Sequence, residues 1–185
     1  VLAPSRYMCD YLASIGIRHT ALQPLGVDVE TFTPARRVRD LRHALGIRPD
    51  SRLLAFAGRF AGEKNLPVLL NAFERLGDRY HLLLLGGAQT GRVASNVTKV
   101  AYRRDSRELA EWLASCDALV HAGTRETFGL VVLEAMACGR PVVGTRAGAI
   151  PELVDESVGT IAAPHASVSL ARSIEDLYDR DLEAL

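Results

Sequence analysis

Short apolar runs alternate with amphipathic segments along most of the chain. Six runs rich in leucine or β-branched residues are bounded by turn-forming residues, which is typical of buried strands. These runs cover residues 52–58, 80–87, 97–102, 118–123, 141–145 and 159–163. Helical periodicity occupies the segments between them, at residues 66–77, 106–116, 128–139 and, more briefly, 150–154. Such alternation predicts βαβ units, and therefore an α/β fold with a Rossmann-like parallel sheet and helices on both faces.

The beginning of the chain has a different pattern. Residues 4–16 have helical character with Ser5 as the expected N-cap, and the stretch that follows is first strand-like and then rich in proline and glycine. We therefore predict that residues 1–37 are the end of a preceding domain plus a linker, and that residues 38–185 form a binding domain. A further helix is expected over residues 40–50. Because the first residue is not methionine, we expect the chain to be a piece of a longer protein.

Composition and charge remove several classes of protein. Acidic and basic residues number 22 each, so there is no basic excess that would favour nucleic acid as a partner. No apolar run approaches the roughly 20 residues that a membrane span needs, and the first residues lack a signal-peptide pattern. Cys9, Cys116 and Cys138 are scattered and lack a C-x-x-C spacing, so we expect buried free thiols in a reducing compartment. A cytoplasmic location is therefore expected.

A glycine-containing loop follows the first buried run, with the sequence "GRFAGEKN" at residues 58–65. It matches neither the G-x-G-x-x-G dinucleotide fingerprint nor the spacing of a P-loop. Arg59 and Lys64 would lie at the carboxyl end of a strand, where two cations suit a diphosphate. The alternative is a solvated turn in which these cations form a surface ion pair with Glu63.

The second polar loop, "HAGTRETFG", precedes an apolar helix. Thr127 or a neighbour would cap that helix, and a helix N-terminus offers unpaired N–H groups to a phosphate. Glu134 lies inside the helix among apolar residues, so it needs a fixed hydrogen-bond donor, which ligand hydroxyls or a neighbouring arginine would supply. Glu126 would contact a ligand, or would be a favourable charge at the amino end of the helix.

The five histidines show no pattern of a metal site or of nucleophilic catalysis. His121 would end the fourth buried run, but no partner is evident in the sequence. We expect all five to be structural or exposed to solvent.

Three segments together resemble a known family. Glu126 and Glu134 form an E-x7-E pair within "ETFGLVVLEAMACGRPVV", with "GRFAGEKN" before it and "GAIPELV" after it. This arrangement resembles the C-terminal, donor-binding domain of the GT-B retaining glycosyltransferases of the group 1 superfamily. The first 37 residues resemble the last elements of that family's N-terminal acceptor domain and its interdomain linker. The chain departs from the family pattern at Ala122 and Gly123, where Pro-Ser is usual, and at Gly148-Ala149, where Gly-Gly is usual.

The resemblance implies a catalytic group of three residues. Arg59 and Lys64 would bind the diphosphate of the sugar donor and stabilise charge on the leaving group. Glu126 would contact hydroxyls of the transferred sugar. Glu134 would accept hydrogen bonds from the ribose, and backbone amides at the start of the helix would hold the distal phosphate. The substrate-binding residues implied are Gly58, Thr127, Phe128, Gly129, Leu130, Glu134 and, around the base, Arg103 and Arg104.

The implied function is transfer of a sugar, with retention, from a UDP-, GDP- or ADP-sugar to an unknown sugar or lipid acceptor. The resemblance implies that almost all of the acceptor domain lies outside this sequence, so we expect this chain to bind the sugar donor without transferring it. No metal or other cofactor is expected, and no nucleic acid. In the longer protein, a hexosyltransferase of polysaccharide or glycolipid biosynthesis, peripheral association with the inner face of the membrane is expected. The alternatives are a sugar-nucleotide epimerase of similar fold and a non-catalytic nucleotide-binding module.

Overall fold

A computed structural model describes residues 1–87, 93–101 and 105–179. Two short strands near the amino terminus pair in parallel as a separate small sheet, β1 (Leu2–Ala3) and β2 (Ala21–Leu22). Six strands form the main sheet: β3 (Arg52–Ala57), β4 (Tyr80–Leu85), β5 (Val97–Val100), β6 (Ala118–Val120), β7 (Val142–Thr145) and β8 (Gly159–Ala162). All six are parallel, in the order β5-β4-β3-β6-β7-β8. The predicted α/β sheet is therefore confirmed.

The helices connect these strands as the periodicity predicted. They are α1 (Arg6–Ser14), α2 (Leu41–Ala44), α3 (Leu66–Leu76), α4 (Ser106–Ser115), α5 (Leu130–Ala137) and α6 (Ser167–Asp179). Short 3₁₀ turns cover Pro34–Arg36, Gly62–Lys64, Gly77–Arg79 and Ile150–Glu152, so the segment expected to be helical over residues 150–154 is one such turn. Among the described helices, none has the length and apolar character needed to cross a membrane.

The helix expected over residues 40–50 is shorter than predicted. Only Leu41–Ala44 is helical, and the backbone N–H of Ile47 bonds back to the carbonyl of Arg42 at 2.8 Å. This closing turn lets Ile47, which is 5% exposed, enter the core. The left-handed φ of 66° at Gly46 therefore ends the helix before its pattern does, and Ile47 then turns inward.

The central strand β3 shows why its run is apolar throughout. Leu53, Ala55 and Ala57 face one layer, where they pack with α4 and α5, and Leu54 and Phe56 face the other layer, with α3 and α6. Successive side chains of a strand point to opposite faces, so a strand covered on both sides has no polar position. The core therefore consists of two apolar layers separated by the sheet.

The strand order creates a crevice at the carboxyl edge of the sheet. From β3 the chain proceeds outward through β4 and β5, and it then returns to place β6, β7 and β8 on the other side. The loops after β3 and β6 therefore leave adjacent strands in opposite directions, which is the position where open α/β sheets bind ligands.

The amino-terminal segment docks onto this edge. Ser5 caps α1 as predicted, and its hydroxyl donates a hydrogen bond of 2.7 Å to the carbonyl of Thr127. The Glu152 carboxylate accepts hydrogen bonds from the backbone N–H groups of Arg6 (2.9 Å) and Tyr7 (2.8 Å). The start of α1 is therefore tied to two loops of the main sheet.

The cysteines are free thiols, as expected. Cys116 and Cys138 are buried and Cys9 is half-buried. Burial raises the pKa of the Cys138 thiol to about 11, so this side chain is a protonated core residue at neutral pH.

Candidate functional site

The loops after β3 and β6 are bonded to each other. The backbone N–H of Thr124 donates to the Glu63 carbonyl at 3.0 Å. The Asn65 side-chain amide donates to the Ala122 carbonyl at 3.0 Å and to the Thr124 hydroxyl at 3.3 Å. These bonds hold both loops in one arrangement before any ligand arrives, and such preorganisation lowers the ordering that binding requires.

Glu126 is the centre of this arrangement. Its Oε2 atom lies 2.5 Å from Nζ of Lys64 and 3.1 Å from Nε2 of His121. The side chains of Lys64, Glu126 and His121 are only 18%, 16% and 2% exposed. The structure therefore brings together two predicted site residues and one histidine that was not predicted to take part.

The environment of Glu126 keeps it ionised. The hydrogen bond with His121 lowers its pKa most, the bond and charge of Lys64 lower it further, and burial opposes them in part, which leaves a pKa of about 2. An ionised carboxylate only accepts hydrogen bonds, so Nε2 of His121 carries the proton in the bond between them.

Glu134 has the opposite environment. It lies half-buried on α5, and burial alone raises the pKa of its carboxyl group above the ordinary value. Within residues 1–87, 93–101 and 105–179, no side chain or backbone N–H donates to it. Glu134 faces a cleft of about 430 Å³ whose lining is formed by Ala57, Gly58, Arg59, Gly87, Leu109, Leu130, Val131 and Glu134. Its carboxylate is therefore available to a ligand in this cleft.

Arg59 lies at the rim of the same cleft. Its side chain is 87% exposed, and its nearest described acid is Glu63, at 3.9 Å. An exposed pair at that distance contributes little free energy. Arg59 therefore forms the surface pair with Glu63 that the alternative interpretation predicted, whereas Lys64 pairs with Glu126.

The start of α5 corrects one expectation. The helix begins at Leu130, its N-cap is Gly129 with φ of 100°, and the Thr127 side chain makes no capping bond. Phe128 is buried at 6% exposure, so the chain must turn sharply after it, and a left-handed glycine permits that turn. Thr127 is exposed, and only its carbonyl is engaged, by Ser5. The amino end of α5 still lies at the carboxyl edge of the sheet, directly after the loop that follows β6.

His121 is the residue that the sequence analysis missed. It was expected to be structural or exposed, but its buried ring bonds directly to Glu126. Its position directly after β6, at the edge of the sheet where the site loops lie, was the available signal. Arg103 and Arg104, the expected contacts to the base, lie outside the described residues.

These features define a class of protein. A six-stranded parallel sheet with helices on both faces, and with polar loops that meet at its switch point, is a Rossmann-like α/β domain. The sequence profile of the family described as "Glycosyl transferases group 1" matches residues 51–180. The chain therefore belongs to the group 1 glycosyl transferases.

Curated relatives support the same assignment. The chain is 36% identical, over 173 residues, to a D-inositol 3-phosphate glycosyltransferase of Paenarthrobacter aurescens, covering 84% of this chain and 42% of the relative. It is 33% identical, over 177 residues, to a GDP-mannose-dependent alpha-(1-6)-phosphatidylinositol dimannoside mannosyltransferase of Mycobacterium tuberculosis, covering 90% and 46%. The chain thus spans less than half the length of these relatives.

Solved structures share the fold. The Anabaena protein HepE in complex with UDP and glucose matches with a TM-score of 0.85 and 25% identity, covering 100% of this chain and 54% of that one. The C-terminal domain of a group 1 family glycosyl transferase from Francisella tularensis matches with a TM-score of 0.71 and 26% identity, covering 86% and 91%. The second of these shows that a related C-terminal domain can be crystallised alone.

Proposed function

We propose that this chain is the sugar-donor-binding part of a glycosyltransferase that transfers a sugar from a nucleoside diphosphate with retention of configuration. One observation carries the proposal: Lys64 and Glu126 meet at the switch point, next to the cleft that contains Glu134, to which none of the described residues donates a hydrogen bond. Cations and backbone amides suit the phosphates, the Glu126 carboxylate suits the sugar hydroxyls, and the Glu134 carboxylate suits the ribose hydroxyls. Their shared location favours an intact site over a decayed, non-catalytic module.

The proposed binding mode follows from the chemistry of each group. Arg59 and Lys64 contact the diphosphate, and the backbone amides of residues 128–130, with the Thr127 hydroxyl, hold the distal phosphate. Glu134 accepts hydrogen bonds from the ribose hydroxyls, and Glu126 accepts them from the transferred sugar. Arg103 and Arg104 remain the proposed contacts to the base.

The proposed chemistry is stabilisation of a leaving group. Breaking a sugar–phosphate bond places negative charge on the nucleoside diphosphate, and fixed cations and amides stabilise that charge more in the transition state than in the ground state. Arg59 and Lys64 supply two positive charges beside the proposed diphosphate position. Sugar-donor binding is therefore proposed to need no metal ion.

The sugar donor and the other partners are proposed as classes. The Mycobacterium tuberculosis relative is named as GDP-mannose-dependent, and Anabaena HepE binds UDP-glucose. A UDP-, GDP- or ADP-linked hexose is therefore the proposed class of sugar donor. A sugar or lipid is the proposed acceptor, bound with the rest of the longer protein in the cytoplasm at the inner face of the membrane.

Calorimetric titration of this chain with UDP, GDP and ADP tests the proposal. We expect at least one of them to bind with unchanged affinity when EDTA is present. Arg59→Gln should weaken that binding by about 1–3 kcal/mol, the usual value of a charge-assisted contact. Arg48→Gln is the matched control, because Arg48 is also an exposed arginine but pairs with Asp50 before β3.

Two results would contradict the proposal. The first is no detectable binding of any of the three diphosphates at millimolar concentration. The second is an equal effect of both arginine substitutions, since that would mean that general charge attraction, not the site, governs binding.

A further inference from the structure

In the proposed function, Lys64 has two anionic partners, Glu126 and the diphosphate. In the structure, the Lys64 ammonium group is 2.5 Å from Oε2 of Glu126. In the proposed complex, the same group contacts the diphosphate. A phosphate competes directly with the carboxylate for this cation, because both are anionic oxygen acceptors. Binding of the sugar donor therefore draws Lys64 away from Glu126.

Glu126 is too enclosed to be left without a hydrogen-bond partner at no cost in free energy. Its side chain is 16% exposed, and a carboxylate with so little access to water is costly when it is unpaired. His121 is the second group on the same oxygen, at 3.1 Å. The histidine can therefore keep the carboxylate ionised and oriented after the lysine has moved.

His121 is held independently of Lys64. Its backbone N–H donates to the Val143 carbonyl at 2.8 Å, and its own carbonyl accepts the Thr145 hydroxyl at 2.9 Å, so β7 fixes its backbone. The ring occupies space that a side chain at position 123 would take, because a Cβ on Gly123 would lie 2.7 Å from Cε1 of His121. The absence of a side chain at Gly123 thus leaves room for the imidazole.

We infer that His121 is a positioning residue that holds Glu126 while Lys64 transfers from Glu126 to the diphosphate of the sugar donor. The inference rests on the proposed function and deepens it, since it assigns a role to a residue outside the three expected catalytic groups. His121 acts through Glu126 and makes no contact with the sugar donor in this scheme. Its removal should affect binding only when position 126 carries a charge.

A double-mutant cycle in this chain tests the inference, with the best-bound of UDP, GDP and ADP as the probe. His121→Leu should weaken binding about tenfold or more, the usual effect of leaving an ionised group without its hydrogen bond. His121→Gln, whose amide nitrogen replaces Nε2, should stay within about threefold of wild type. In a Glu126→Gln background, His121→Leu should change affinity less than about threefold, because no buried charge then needs the histidine.

A second measurement does not depend on a substitution at position 121. In the ¹⁵N-labelled chain, the imidazole Nε2–H signal of His121 should remain protected from solvent exchange when the diphosphate is added. Loss of that signal on binding would show that the bond to Glu126 breaks, and would overturn the inference.

The remaining outcomes separate the two proposals. Wild-type affinity in His121→Leu, or an equal loss in the Glu126→Gln background, would overturn the role of His121 and leave the proposed function intact. If the wild-type chain binds none of the three diphosphates, the proposed function fails first, and this inference fails with it.

Discussion

Glu126 and Glu134 lie on one stretch of chain, but their surroundings shift their pKa values in opposite directions. Glu126 receives His121 and Lys64, which lower its pKa, whereas Glu134 has only burial, which raises its own. Groups with environments that differ in this way commonly have different roles in a site. Here the protein supplies hydrogen-bond partners to one carboxylate, whereas none of the described residues donates to the other.

The stability of the domain should depend on the charge of Glu126. Its folded pKa of about 2 is below the ordinary value of 4.5, so the ionised group stabilises the fold above about pH 4.5, and this contribution is lost as the pH falls toward 2. Glu126→Gln should lower the free energy of unfolding at pH 7 by on the order of 3 kcal/mol, and by progressively less below pH 4.5. Urea unfolding at several pH values measures this difference.

Glu74→Gln on the exposed side of α3 is the control for that series, with an expected change within about 0.5 kcal/mol at every pH. A loss in Glu126→Gln that stays constant down to pH 3 would mean that shape, rather than charge, makes Glu126 stabilising.

Glu134 should show a trade-off between stability and binding. Its raised pKa means that ionisation destabilises the fold at neutral pH, and that this penalty is absent below the ordinary pKa of 4.5. Glu134→Gln should therefore raise the free energy of unfolding, measured without added ligand at pH 7, by about 1 kcal/mol. Affinity for the nucleoside diphosphate should fall by about 1–3 kcal/mol, because a ribose hydroxyl loses a charged acceptor.

Thermal unfolding and calorimetry on the same Glu134→Gln sample measure both effects. A substitution that lowers stability while leaving affinity unchanged would place Glu134 in the core and outside the site.

The sequence could identify those site residues whose charge is unusual among their neighbours in the chain. Glu134 stands out as a carboxylate inside an apolar helix, and Lys64 as a cation after a buried strand. His121 did not stand out, because a single histidine at a strand end resembles an ordinary core residue. Its partner is five positions away, a spacing that places neither residue opposite the other in a strand or a helix. Only the fold of the loop between them, which includes Gly123, brings them together.

At the scale of elements, buried strands were the most predictable part of the chain. A strand covered on both faces is largely apolar, so the end of its apolar run is visible in the sequence: β3 stops before Gly58, and β7 stops before Arg146 although it contains Gly144 and the buried Thr145. Helix starts were less predictable. The start of α5 depends on the burial of Phe128 and the turn at Gly129, which are tertiary effects that outweigh the capping preference of Thr127.

The docking of α1 can be tested at this scale. Glu152 accepts hydrogen bonds from the backbone N–H groups of Arg6 and Tyr7, and a capping bond of this kind contributes about 1 kcal/mol. Glu152→Ala should therefore raise amide hydrogen exchange at these two positions by about fivefold or more. The amides of α6 should not change and serve as an internal control. Equal acceleration in α6 would indicate general destabilisation instead of local release.

At the scale of the whole molecule, binding of the sugar donor and transfer of the sugar can be tested separately. The chain spans less than half of the relatives it matches, and transfer requires an acceptor hydroxyl held against the sugar. We predict that the chain binds a nucleotide-sugar but gives no sugar transfer, and that the longer protein does both and retains the anomeric configuration. Proton NMR of donor and product measures these outcomes.

Binding in the same sample, measured by calorimetry, is the control for the transfer experiment. Sugar transfer by this chain alone would contradict the prediction that it binds the sugar donor without transferring the sugar. An epimerised sugar formed without an acceptor by the longer protein would favour the epimerase over the transferase.

The attachment of α1 has a consequence for which substitutions the chain can accept. Glu152 contacts the main chain of Arg6 and Tyr7, and their side chains take no part in these bonds. Substitutions at positions 6 and 7 should therefore preserve these two hydrogen bonds, with proline as the exception because it has no N–H to donate. Ser5 and Glu152 bond through side-chain atoms, so substitutions at these two positions should remove the bonds.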